Sequence, residues 1–111
     1  MDVDQKEIKK ALIKAIKEGI PLEIEYYDKN WIAKECAKEI NKKLKPEGYS
    51  AHFRQPACVD IYYIQKKDKI STVNIGPNGI VFDKNMKVEY AVALSPAIRI
   101  MMETIINLTE N

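Results

Sequence analysis

Three alternating segments between Tyr49 and Phe82, bracketed on both sides by stretches of helical period, predict an α+β fold. The expected order is α-β-α-β-β-β-β-α, with an extra strand over 87–94 and a mostly antiparallel sheet packed by helices. Length agrees with a single domain over 1–111, because a chain of 111 residues and 12.8 kDa buries about two thirds of its unfolded surface without metal or disulfide staples. A hydrophobic share of 46% against 31% charged belongs to a folded chain with one core and no linker or repeat.

The first element is a helix. Asp4 caps it with Glu7 three residues on, Ile8, Ala11, Leu12, Ala15 and Ile16 recur at helical spacing, and Gly19 ends it. Lys6, Lys10, Lys14 and Lys17 form its solvated face. From Pro21 to Tyr27, Leu22, Ile24 and Tyr26 alternate with Glu23, Glu25 and Tyr27, the period of a half-buried strand. Asp28 or Asn30 then caps a second helix with the apolar stripe Ile32, Ala33, Cys36, Ala37, Ile40 and Leu44, which Pro46 and Gly48 stop. If Leu22–Tyr26 and Tyr49–Arg54 lie parallel in one sheet, this strand, helix and strand make a right-handed crossover.

In the strand region, the loop at Pro56 controls which side chains share a face, since a shift of one residue exchanges the faces. An odd loop sets Tyr49, Ala51 and Phe53 beside Val59, Ile61 and Tyr63 as one apolar face. It leaves Ser50, His52, Arg54, Cys58, Asp60 and Tyr62 on the other, with His52 opposite Asp60. A two-residue loop mixes Phe53 with Asp60, so the odd loop is favoured. After the charged connection Lys66-Lys67-Asp68-Lys69 comes a strand over Ile70–Ile75, in which Thr72 and Asn74 extend the polar face. Gly76-Pro77-Asn78-Gly79 is a turn leading to an antiparallel strand at Ile80–Phe82.

Beyond the turn at Asp83-Lys84-Asn85, Val88, Tyr90, Val92 and Leu94 alternate with Lys87, Glu89, Ala91 and Ala93, hence the expected extra strand. Ser95 and Pro96 read as the cap and first turn of a last helix that is apolar nearly all round. Such a helix is central to its fold or covered by another chain, and a homodimer through residues 87–108 is expected.

A net charge of +2 and a pI near 8.4 fall short of a dedicated nucleic-acid binder. Only Arg54 and Arg99 of the eighteen basic residues are Arg, which disfavours base-specific readout by the guanidinium fork. Cys36 and Cys58 lack CxxC or CxxH spacing and read as buried free thiols. The charged N-terminus and the absence of an apolar run of membrane-spanning length lead to a cytoplasmic expectation with no membrane partner.

His52 with Asp60 offers an imidazole and an orienting carboxylate, and Tyr62 a hydroxyl, but ordinary cross-strand neighbours look the same, so no catalytic residue, metal or cofactor is expected. Asp60 with Gln65-Lys66-Lys67 is compared with the aspartate and Glu/Gln-x-Lys pattern of metal-dependent nucleases. The two parts fall on one strand pointing to opposite faces, and this stays a remote alternative. The expected function is a small non-enzymatic binding module that contacts a polyanion, nucleic acid or nucleotide, through His52, Arg54, Asp60, Tyr62, Lys66 and Lys67. The alternative is a protein–protein adaptor or inhibitor that uses the apolar C-terminal strand and helix.

Overall fold

The computed structural model describes residue 13, residues 17 and 18, and residues 31–76, 79–83 and 86–109. Ile13, Lys17 and Glu18 are helical; the rest of the helix expected from Asp4 to Gly19, and the strand from Pro21 to Tyr27, lie outside the described residues. The described elements are α1 (Trp31–Leu44), β1 (Tyr49–Arg54), β2 (Cys58–Tyr63), β3 (Asp68–Gly76), β4 (Gly79–Phe82) and α2 (Ala91–Thr109). They make an α+β fold: four antiparallel strands in the order β1-β2-β3-β4, with α1 and α2 packed against each other and on one sheet face.

Every member of the expected α1 stripe, Ile32, Ala33, Cys36, Ala37, Ile40 and Leu44, is buried. Burial pushes the Cys36 thiol up to about 12, with Glu35 and Glu39 adding to the effect, so it remains protonated and inert at neutral pH. A 3-10 turn at Lys45–Glu47 follows, and Gly48 reverses the chain at φ 93. A Cβ at Gly48 meets Ile64 Cγ2 at 2.5 Å, so glycine is required both by the backbone and by the neighbour.

The strands keep the odd loop. Residues 55–57 connect β1 to β2, and the register runs from Tyr49↔Tyr63 through His52↔Asp60 to Arg54↔Cys58. Tyr49, Ala51, Val59, Ile61, Val73, Ile75 and Ile80 point into the core beneath the helices. β3 is longer than expected and its pairing with β2 slips once: Ile61 faces Ser71 while Tyr62 faces Lys69, which leaves Ile70 as an extra residue. Such a bulge lets Ile70 and Ser71 both turn inward, and both are buried.

β1 is the outer strand on its side among the described strands. Ala51 alternates with the residues that bond β2, so its N–H and C=O face away from the sheet. Both groups are met by Asn41 of α1: Asn41 Nδ2 donates to the Ala51 carbonyl and the Ala51 N–H donates to Asn41 Oδ1, each at 2.8 Å. One side-chain amide therefore substitutes for a neighbouring strand at that point of the edge.

The extra strand expected over 87–94 is not formed. Val88–Tyr90 is a 3-10 turn that runs directly into α2, which starts at Ala91 and carries Pro96 in its interior. Helical burial wins because Ala91, Leu94, Ile98, Met101 and Ile105 recur at three and four residues and are all inside. Pro96 has no N–H for the Val92 carbonyl; the Ser95 hydroxyl donates to that oxygen at 3.1 Å instead. α2 is joined to the sheet by the Tyr49 hydroxyl, which donates to the Ala93 carbonyl at 2.5 Å, while the Tyr49 and Tyr63 rings stack with centroids 4.4 Å apart. Burial, with smaller contributions from Tyr63 and Glu47, pushes the Tyr49 hydroxyl up to about 12, which keeps it a donor.

Candidate functional site

The helices cover one sheet face; the other carries the polar residues. Strand alternation and the three-residue loop bring Ser50, His52, Arg54, Cys58, Asp60 and Tyr62 to that face, and β3 adds Lys69, Thr72 and Asn74 through the pairs Tyr62↔Lys69, Asp60↔Thr72 and Cys58↔Asn74. His52, Arg54 and Asn74 are exposed.

Asp60 organises the face. Its carboxylate accepts from Arg54 Nε at 3.1 Å and from the second guanidinium nitrogen at 3.3 Å, and it accepts the Thr72 hydroxyl at 2.6 Å. Lys69 Nζ stands 3.9 Å away. The Arg54 hydrogen bond holds the Asp60 carboxyl below its usual value; burial pulls the other way, and the Thr72 bond and the charges of Arg54 and Lys69 outweigh it. Arg54, 57% exposed in its side chain, keeps donors facing solvent beyond those it spends on Asp60.

His52 faces Asp60 in register, but its ring meets Tyr62 edge-on, with centroids 5.3 Å apart at 88°. The carboxylate is engaged by Arg54, Thr72 and Lys69, so the imidazole and carboxylate do not form an acid/base pair. What the face offers is an exposed imidazole and a half-buried phenol ring set between cations. Beside them the Cys58 thiol donates to Asn74 Oδ1 at 2.7 Å.

Of the six residues expected to bind ligand, His52, Arg54, Asp60 and Tyr62 are brought together. Lys66 and Lys67 are not. The chain leaves β2 at Tyr63 into a 3-10 turn, Ile64–Lys66, capped by Lys67 at φ 58. Lys66 Nζ consequently lies over the Tyr90 ring, 5.7 Å from its centroid, with Lys87 Nζ at 5.6 Å from the same centroid. Gln65 sits in that turn and not, as the sequence suggested, on the strand with Asp60.

Three features escaped the sequence reading. Lys69 reaches Asp60 only because the β3 bulge sets it opposite Tyr62. Tyr90, read as a strand residue, instead walls a cleft. Asn41, the one uncharged polar residue among the charged positions of α1, was the available signal for the covered edge. Among the described residues, no group of three or more His, Cys, Asp or Glu is placed to hold a metal ion. No protein-family model, curated protein or solved structure matches the chain, so the site is read from its own chemistry.

Proposed function

We propose that the protein is a small non-enzymatic binding module whose open sheet face contacts a polyanion, a nucleic acid or a nucleotide. The observation that carries this reading is the ring pair of exposed His52 and half-buried Tyr62, with Arg54 on one side and Lys69 on the other. Bases stack on such rings whatever their sequence, and the cations attract the phosphates. Asp60 offsets part of the positive charge, so the expected affinity is modest and steeply dependent on salt.

The test is retention of a single-stranded oligonucleotide at low ionic strength. Wild type should retain it and release it as salt rises. His52→Ala, which removes an exposed ring, should weaken retention by about tenfold, in line with one lost stacking contact. Absence of retention by the wild-type chain at low salt rejects the reading.

A second reading is favoured by a separate observation. Ile64, Val92 and Val88 leave 74%, 61% and 40% of their surfaces exposed, and the contact of Lys66 with Tyr90 brings the turn holding Ile64 beside the one holding Val88. They suit an adaptor or inhibitor that meets a protein partner at this end of the molecule. Such a contact persists at salt concentrations that dissolve the phosphate contacts.

A further inference from the structure

A cleft of about 220 Å³ opens where β3 meets the start of α2. Its apolar lining is Ile70 and Met86, both buried, and Tyr90 contributes an aromatic ring. Lys69 and Lys87 supply positive charge, with Lys66 over the same ring. The β3 bulge brings Ser71 into the lining; its hydroxyl donates to the adjacent Thr72 carbonyl at 3.4 Å and its oxygen retains the capacity to accept. Asp83 is the one carboxylate in the lining. Bulges often re-aim side chains beside binding sites, and pockets commonly pair an apolar lining with a few convergent polar groups.

We propose that this cleft holds one nucleotide unit, with the base against Tyr90 and Met86 and the phosphate toward Lys69 and Lys87. Stacking displaces an ammonium from the Tyr90 ring, and the incoming phosphate takes it up. Lys87 is available for this because its pairing with Glu89 spans 4.0 Å between two well-exposed side chains. Lys69 belongs both to the cleft and to the Asp60 cluster, so a strand lying on the sheet face can deliver a nucleotide into it. For its ligand class the proposal rests on the polyanion reading; free nucleotides and nucleotides within a strand share the chemistry.

The experiment follows the methyl signals of Met86 and Ile70 by NMR while the chain is titrated with adenosine monophosphate, adenosine and inorganic phosphate. A single-stranded oligonucleotide is tested in parallel. The monophosphate should shift both methyls, adenosine should bind about tenfold more weakly, and Lys87→Gln should weaken the monophosphate by about the same factor, as one lost phosphate contact predicts. Lys87 is exposed, so this variant is expected to fold, and Lys38→Gln, at an exposed position of α1 outside both sites, should leave the monophosphate response unchanged. No methyl shift with the monophosphate, or a shift equal in wild type and Lys87→Gln, overturns the cleft. Oligonucleotide retention without a monophosphate response overturns the cleft alone and leaves the sheet-face reading standing. A monophosphate response without oligonucleotide retention supports the cleft and rejects strand binding.

Discussion

Asp60 shows how one side chain decides what its neighbours can do. It draws the Arg54 guanidinium diagonally across the strand pair, accepts Thr72, and thereby leaves His52 to Tyr62. Because its folded-state pKa is depressed, the ionised carboxylate adds stability above the ordinary aspartate value of about 3.9, and that contribution disappears as pH falls through the lower folded value. Urea unfolding as a function of pH should therefore show an acid limb that shrinks in Asp60→Asn and is retained in His52→Ala. An unchanged limb in Asp60→Asn would show that other carboxylates carry it. The face itself was legible from residue types, since period-two alternation and the preference for an odd loop suffice to put His52, Arg54, Asp60 and Tyr62 together. The partner choice was not. A long Arg reaches diagonal as well as directly opposite neighbours, and nothing in the alternation says which one wins.

At the level of elements, α2 is the instructive case. Val88, Tyr90, Val92 and Leu94 satisfy a strand pattern while Ala91, Leu94, Ile98, Met101 and Ile105 satisfy a helical one, and the two overlap for a few residues. Burial favours the helix, and Ser95-Pro96, readable as a cap and first turn, ends up inside it. α1 was plain by comparison, because its stripe obeys a single period from end to end. The interior proline is tolerated because Ser95 occupies the carbonyl that Pro96 leaves without a donor. A double-mutant cycle tests this. Ser95→Ala alone should cost about 1–2 kcal/mol, since it deprives a carbonyl within the helix of its donor. In a Pro96→Ala background, where a backbone N–H can reach Val92, the same change should cost close to nothing. Equal costs in both backgrounds, measured by urea denaturation, would place the value of the Ser95 hydroxyl elsewhere.

At the scale of the whole molecule, the question is how much apolar surface α2 leaves over once the chain has folded. The stretch Val88–Leu108 has a mean hydropathy of 1.4 and enough length to span a bilayer, but 56% of it is buried inside the protein, the property of a core helix. Leu94, Ile98, Met101 and Ile105 are fully enclosed. The all-round apolarity that pointed to a dimer through 87–108 is thus largely consumed by α1 and the sheet, with Val88 and Val92 still exposed and Ile64 close by. Three side chains supply only part of the roughly 800 Å² per partner that a stable pair buries. We therefore propose self-association that is weak and runs through this patch. Light scattering should find a monomer at micromolar concentration and a growing dimer fraction at higher concentration. Val92→Asp, a change at a 61% exposed position with little consequence for the fold, should abolish that fraction, while added salt should leave it intact. A dimer that persists at micromolar concentration and ignores Val92→Asp would place the contact on another surface and require more buried area than this patch provides.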